Sequence, residues 1–396
     1  MMQISPETQL FIREHSSDDV RVLALQAKKY PDIDMPTAIT QIAGRQVAAE
    51  KIPSWWEIEK IWYPKHLSLE QCSSEITARY KARLLQGDSL TDLTGGFGID
   101  CSFLATGFKS ATYVERQEEL CEIAAHNFPI LNLNHINVRN EDGVAYLQTM
   151  SPVDCIFLDP ARRNEHGGKT VAISDCEPNV AELEALLLSK ANRVMIKLSP
   201  MLDLSLALKE LKHTQEVHIL SVNNECKELL ILLGQTSPAE ITIHCVNLFT
   251  KGTQEEQHFV FTREQEQRSQ CTYTDSLGDY LYEPNASLLK AGAFRSIAAA
   301  YPVRKLHPNS HLYTSDTFIE NFPGRIFRIV NQCSFNKKEV KENLADLKKA
   351  NVTVRNFPAT VAELRKRLHL TEGGDTYLFA STLNNGQKVI IRCEKV

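Results

Sequence analysis

The sequence predicts an α/β protein built on a doubly wound parallel sheet, with a helical segment before it and further α/β modules after it. Three features carry that prediction. The first is Leu90-Thr-Asp-Leu-Thr-Gly-Gly-Phe-Gly-Ile-Asp100, an apolar run that ends on Asp92 and turns through Gly95, Gly96 and Gly98 into a helix. This is the form of a first strand with its ligand-side loop. The second is that later apolar runs also stop at or just before carboxylates, at Glu115, Glu141-Asp142 and Asp159. In a parallel sheet such ends share one rim, where ligands bind. The third is an uneven charge: from residue 324 onward 14 Lys or Arg face 7 Asp or Glu, +7, which leaves −12 for the remainder of a chain of net charge −5. A basic appendage on an acidic body separates two roles.

Residues 1–85 read as helical. Val20, Leu23, Ala24 and Ala27 fall at helical spacing over 18–30, after Ser16-Ser17. Trp55, Trp56 and Trp62, beside Tyr63-Pro64, read as a packed aromatic core rather than a base-stacking platform. Residues 73–82 open on two hydroxyls and an acid, the start of an N-capped helix that leads into the first strand.

The glycine loop fits the dinucleotide pattern G-x-G-x-x-G at Gly96 and Gly98 but places Cys101 at the third position. Asp92 would also repel a pyrophosphate drawn to the helix N-terminus. It suits a cationic ligand end, such as the ammonium and sulfonium of S-adenosylmethionine. Taken alone, the loop reads equally as a glycine-rich turn with a capping acid. The residues after the loop favour the cofactor. A strand over 111–115 ends on Glu115, about twenty residues past the loop, where a ribose hydroxyl pair is held. A helix over 117–128 leads to a strand over 136–138 and to Asp142, suited to the adenine edge. A fourth strand, 154–158, runs into Asp159-Pro-Ala-Arg-Arg163, facing the transferable methyl group.

At this point the chain resembles the class I S-adenosylmethionine-dependent methyltransferases, whose catalytic domain is Rossmann-like. The resemblance implies S-adenosyl-L-methionine as cofactor, bound by Asp92, Thr94, Gly96, Gly98, Glu115 and Asp142. Enzymes of this class that methylate exocyclic amines often carry [DN]-P-P-[YF] after strand four. Here Asp159 and Pro160 match, and Ala161 and Arg162 replace the second proline and the ring. Asp159, Pro160 and Arg162 are thus the expected catalytic group, with Arg162 or Arg163 free to stack on a base or pair with a phosphate. The loop is also similar to that of the RNA 5-methyluridine methyltransferases, but those need a cysteine nucleophile after strand five, and residues 194–200 contain none. Lys197 and Ser199 in that stretch read either as substrate contacts or as a strand-end polar pair. The 73–82 segment is similar to the one before strand one in RNA guanine-N2 methyltransferases, which lies across the cofactor and implies Ser74, Thr77 and Lys81 as contacts.

Over nearly its full length the chain resembles a Bacteroidetes family of class I methyltransferases with a ferredoxin-like insert and a C-terminal THUMP-like domain. Gln71-Cys-Ser-Ser-Glu75, Asp92-Leu-Thr-Gly-Gly96, Asp159-Pro-Ala-Arg-Arg163, and Arg355-Asn-Phe-Pro358 through Glu372-Gly-Gly-Asp375 carry the likeness. THUMP domains imply RNA binding, commonly of tRNA. The expected division is an N-terminal helical region at 1–85, the methyltransferase domain at 86–262, the ferredoxin-like module at 263–323 and the THUMP-like domain at 324–396. The second closes with strands over 216–222, 226–233 and 240–246, read as an antiparallel edge. In the third, a strand at 280–282 precedes a helix from Asn285 to Tyr301. The fourth reads βαβαββ, with helices capped at Asn336 and at Thr360-x-x-Glu363 and a hairpin around Asn384-Asn-Gly386.

Lys337, Lys338, Arg365, Lys366 and Arg367 on those two helices read as phosphate contacts for structured RNA, against the alternative of solvated helix faces. No charged-then-apolar leader and no membrane-length apolar run occur, so a cytoplasmic enzyme is expected. Ten scattered cysteines with no C-x-x-C pair argue against disulfides and a zinc site, and no metal is expected. The expected activity is in-line methyl transfer to a nitrogen of a nucleotide in tRNA or rRNA. A methyltransferase of proteins or small molecules, and a non-catalytic RNA-binding protein that keeps the fold, are the alternatives.

Overall fold

The computed structural model describes residues 4–162, 172–253 and 255–396. The chain divides into two compact units, Met1–Gln215 with Leu230–Pro238, and Glu216–Leu229 with Ala239–Val396.

In the first unit, helices Pro6–Glu14, Val20–Leu25, Met35–Lys51, Pro53–Trp56, His66–Gln71 and Glu75–Ala82 precede the sheet. Side chains of Ser5, Asp19 and Asp34 accept from backbone N–H groups of the first three and so start them. The helix predicted over 18–30 is shorter, giving way after Leu25 to a tighter turn over Ala27–Lys29. Trp55 is buried with Ile52, Tyr63, Phe97 and Ile123, and Trp62 lies flat on His126 with ring centroids 3.6 Å apart. The aromatic cluster thus packs as core, except that Trp56 is exposed with Arg45 over its ring.

Five strands follow: β1 Ser89–Asp92, β2 Ser110–Glu115, β3 Ile136–Asn140, β4 Val153–Leu158 and β5 Ala191–Leu198. They lie in the order β5-β4-β1-β2-β3, every pair parallel. Strand order reverses between β1 and β4, which opens a crevice at their carboxyl ends. Register puts Asp92 beside Tyr113 and Phe157, and Leu158 beside Ile196, so the strand ends share one edge.

The unit division passes through β6 Thr214–Val222 and β7 Glu225–Gly234. In the second unit β8 Thr242–Leu248 pairs with β6 and β9 Glu256–Thr262 pairs with β8. The expected antiparallel edge is corrected here: β8 and β9 are antiparallel, but β6 and β8 are parallel. Asn223 and Asn224, both at positive φ, turn the chain tightly back into β7, and β8 then resumes the direction of β6. Sequence reading missed β9, whose first three residues, Glu256-Gln-His258, are polar and whose apolar part is only Phe259-Val-Phe261.

The remaining strands form a seven-stranded sheet, ordered Arg304–Lys305, Tyr313–Ser315, Tyr280–Pro284, Gly324–Ser334, Lys388–Lys395, Thr376–Thr382, Asn351–Val354. Tyr280–Pro284 pairs with the start of Gly324–Ser334, so residues on both sides of position 324 share one sheet and one core of Leu281, Phe327, Phe379 and Ile391. The single helix expected from Asn285 to Tyr301 is two, Ala286–Ala291 and Ser296–Ala300. Gly292, left-handed at φ 78°, ends the first. Helices Lys337–Leu344 and Val361–Leu368 complete the βαβαββ order. No helix among the described residues is long and apolar enough to cross a membrane.

Candidate active site

The loop after β1 is tied down on both sides. Leu93 N–H donates to Phe157 O at 3.0 Å and Gly95 N–H to Val114 O at 2.8 Å. Asp159 N–H donates to Thr94 Oγ1 at 2.6 Å, which locks the loop to the end of β4. The three glycines serve different ends. A Cβ on Gly95 would stand 2.2 Å from the Tyr113 ring, so that position is fixed by packing. Gly96 (φ +54°) and Gly98 (φ +86°) are left-handed, and a Cβ on Gly96 would meet only Thr94 O, at 3.8 Å. Open space beside Gly96 is a cradle that a ligand can approach.

The predicted acids sit where the sheet puts them. Asp92 is 1% exposed, and its Oδ1 accepts from Thr94 N–H at 3.0 Å. Its buried Oδ2 has no hydrogen-bond partner among the described residues. Burial, with Asp100, Asp159 and Glu115 adding to it, pushes the Asp92 carboxyl well above the usual carboxylate range. Glu115 accepts from Gly96 N–H at 2.9 Å and from Gln117 N–H at 2.8 Å, so it braces the loop. Asp142 is exposed and caps Gly143–Thr149, its Oδ1 accepting from Val144 and Ala145 N–H at 3.0 Å each. A Cβ at Gly143 would fall 2.1 Å from Leu93 O, which explains the glycine after Asp142.

A buried charge network joins the acceptor side. Lys197 Nζ lies 2.6 Å from Asp159 Oδ2 and 3.7 Å from Asp100 Oδ2. Lys81, fully buried, lies 3.0 Å from Asp100 Oδ1 and donates to Ser73 Oγ at 2.8 Å. Ser73 in turn donates to Asp100 Oδ2 at 2.7 Å. Burial pushes the Asp100 carboxyl up, but Lys81 and Lys197 outweigh it and hold it below the usual range. Asp159 keeps 37% of its side-chain surface exposed; burial raises its carboxyl, against the pull of Lys197. Lys81 and Lys197 thus serve Asp100 and Asp159, while Asp92 has no hydrogen bond or ion pair to either lysine among the described residues.

Sequence reading missed Asp100 and Ser73. Asp100 passes for an ordinary first-turn acid of Ile99–Leu104, and its lysine partners lie 19 residues before and 97 after it, beyond any local pattern. Ser73, one residue before the expected cofactor contact Ser74, enters the network. Ser74 and Thr77 instead satisfy each other locally, Thr77 Oγ1 donating to Ser74 O at 3.0 Å. Ser199 accepts from Met201 N–H at 3.2 Å just past β5. Pro160 is buried, and Ala161–Arg162 pairs antiparallel with Cys176–Glu177. Arg163 lies outside the described residues. All ten cysteines are free thiols. Burial pushes Cys72 and Cys155 up to about 11 and lifts Cys101 well above the usual thiol range, which makes them poor nucleophiles.

On the C-terminal sheet, Lys337, Lys338, Lys366 and Arg367 are exposed. Arg367 lies over the Phe335 ring at 4.1 Å, which brings the second helix to the start of the first. Arg365 is drawn aside by Glu372 at 3.1 Å.

Residues 280–323 match a ferredoxin-like domain family and residues 324–395 a THUMP domain-like family. Among solved structures, a "putative methyltransferase" from Porphyromonas gingivalis W83 is 34% identical, each chain covering 100% of the other, with a TM-score of 0.87. An rRNA methylase from Streptococcus thermophilus is 14% identical over 40% of this chain and 93% of its own, TM-score 0.30. SMU.1697c from Streptococcus mutans, solved in complex with SAH, is 12% identical over 40% and 96%, TM-score 0.30. No curated protein matches the sequence.

Proposed function

This chain belongs to the family of the Porphyromonas gingivalis W83 protein, methyltransferases with ferredoxin-like and THUMP-like C-terminal domains, and we propose on that premise that it methylates a nitrogen of a nucleotide in structured RNA, tRNA foremost, using S-adenosylmethionine in the cytoplasm. The observation that carries the cofactor is the buried Asp92 carboxyl, whose Oδ2 has no hydrogen-bond partner among the described residues, at the start of the loop in which Gly96 leaves open space. A pyrophosphate would be repelled there, and a cationic methionyl end would be held. Asp92 and the Thr94–Gly98 main chain are assigned that end, Glu115 the ribose, and Asp142 the adenine edge. S-adenosylmethionine supplies an electrophilic methyl group.

Asp159 receives the acceptor. Lys197 fixes its Oδ2, which leaves Oδ1 to accept an N–H from the amine, with the main chain of Pro160 and Ala161 beside it. That orientation of the nitrogen lone pair is the chain's main contribution to rate. Arg162 and Arg163 follow on the same segment as contacts for the base or its phosphate, and Lys197 borders it. No thiol is assigned a part. Lys337, Lys338, Arg365, Lys366 and Arg367 are assigned to RNA phosphates, in keeping with the THUMP-like match.

A hydroxyl acceptor is the second reading, favoured by Lys197 at 2.6 Å from Asp159. A hydroxyl must pass its proton to a base such as Asp159 before or as it attacks, and a nearby cation stabilises the oxyanion so formed, whereas a neutral amine attacks through its lone pair without that step. Incubation with tritium-labelled S-adenosylmethionine and total RNA, protein or metabolite extract tests the proposal. Label in RNA, released as an N-methylated nucleoside, is expected. An O-methylated nucleoside would select the second reading, and label confined to protein or metabolites would overturn the RNA assignment.

A further inference from the structure

The expectation that no metal is held came from cysteine spacing, and the second unit carries a donor set that spacing cannot reveal. Residues two apart on a strand share a face, so Glu216 and His218 of β6 project together. Register places His244 of β8 directly beside His218. His258 of β9 is two pairs removed, on the same face, since His244 faces Val260 and Val246 faces His258.

The side chains converge accordingly. Glu216 Oε2 is 3.3 Å from His218 Nε2. The His218 and His244 rings stack with centroids 4.2 Å apart at 7°. His244 Nδ1 lies 3.1 Å from His258 Nε2. One donor atom each from Glu216, His218 and His244 falls within a 4.8 Å span. Zinc–ligand bonds of about 2.0–2.2 Å in a tetrahedron put donor atoms roughly 3.4 Å apart. The glutamate–histidine spacing already has that value, and turning the His218 and His244 rings out of their stack would aim both imidazoles at the same ion.

We propose that Glu216, His218 and His244 bind one divalent zinc-class cation, with water as fourth ligand and His258 holding the His244 ring through its Nδ1. Two imidazoles with one carboxylate suit a borderline ion such as Zn²⁺ better than Mg²⁺ or Ca²⁺, which take oxygen ligands. A hydrogen bond to the second nitrogen of a ligating histidine is the usual way its ring is oriented. His244 and His258 are at least partly exposed, so an ion can enter. Because the ligands lie on two neighbouring strands, the ion would clip β6 to β8 and stabilise the folded chain as its concentration rises above the dissociation constant.

The test uses the full-length chain, stripped with chelator and titrated with zinc chloride by equilibrium dialysis and thermal melting. One zinc per chain and a melting temperature that rises with zinc are expected. Glu216→Gln and His244→Gln, each at a partly exposed position, should weaken binding about a hundredfold, and His258→Ala about tenfold, the range for a lost orienting partner. Circular dichroism of each variant without metal shows whether it folds. Cobalt substitution supplies a readout independent of the variants: a tetrahedral nitrogen–oxygen spectrum is expected. A thiolate charge-transfer band would place the ion on the cysteines and overturn the site. No saturable binding, or equal zinc affinity in wild type and both ligand variants, would overturn it as well.

Discussion

The rim of the parallel sheet and the basic helices of the C-terminal sheet both gather charge, and they hold it in opposite ways. On the rim, Lys81, Asp92, Asp100 and Lys197 are buried or nearly so, and among the described residues every one but Asp92 has an opposite charge within 4 Å. On the helices, Lys337, Lys338, Lys366 and Arg367 stand in solvent. Buried charges need their partners, so the rim behaves as one unit in which a single change is felt by the rest. Exposed charges are screened and act one by one. The first arrangement suits a fixed ligand geometry, and the second suits a long, sequence-blind phosphate surface.

The largest expected effect comes from Asp100→Asn, which leaves Lys81 and Lys197 without their shared carboxylate. Breaking a buried ion pair costs about 3–5 kcal/mol. Denaturant unfolding measures it, and a loss near zero would mean that the rim is as well screened as the helices. Asp159→Ala should next reduce methyl transfer to background while S-adenosylmethionine affinity stays nearly unchanged, because that side chain serves the acceptor. A parallel loss of both would merge the two halves of the rim. Replacement of any cysteine by serine should leave turnover standing.

Asp92→Asn should do the reverse of Asp100→Asn and stabilise the protein by about 1–3 kcal/mol, because it removes an unpaired buried charge. The sign follows from the raised carboxyl. Between about pH 4, where a free aspartate titrates, and its own higher value, the folded state keeps a proton that the unfolded state has lost. Stability from this group therefore falls as pH rises through that window, and the asparagine variant should lack the decline. Thermal melts from about pH 4 to about pH 8 check it. The smallest effect on stability belongs to Lys366→Glu with Arg367→Glu, within about 0.5 kcal/mol for exposed positions. Their readout is RNA: the log–log dependence of affinity on salt should flatten by about 0.7–0.9 for each phosphate that is no longer neutralised.

Local pattern was enough for the strand ends at Asp92, Glu115 and Asp159, because an apolar run that stops at a carboxylate is written in consecutive residues. It was also enough for the capping box at Thr360 and Glu363, found with both reciprocal bonds. Asp100, Ser73 and the Glu216–His218–His244–His258 group were not legible. Their partners meet only through strand order and register, which period and spacing do not encode. The parallel pairing of β6 and β8 was missed for the same reason, since a strand's direction depends on turns such as Asn223-Asn224 and on where the next strand docks. The pairing of Arg365 with Glu372 was illegible for a different reason: it depends on a loop conformation, which charge counting does not register.

Calorimetric titration of S-adenosylmethionine into the wild-type chain and into Asp92→Asn at neutral pH tests most directly whether a buried carboxylate seats a cationic cofactor. Micromolar binding by the wild type is expected, weakened by about 1.5–3 kcal/mol in the variant, the scale of a hydrogen bond to a charged group. Wild-type affinity should also fall as pH drops through the raised Asp92 value, where a proton competes with the cation. Equal affinity in wild type and variant, or binding of NADH with no response to S-adenosylmethionine, would contradict that role for Asp92.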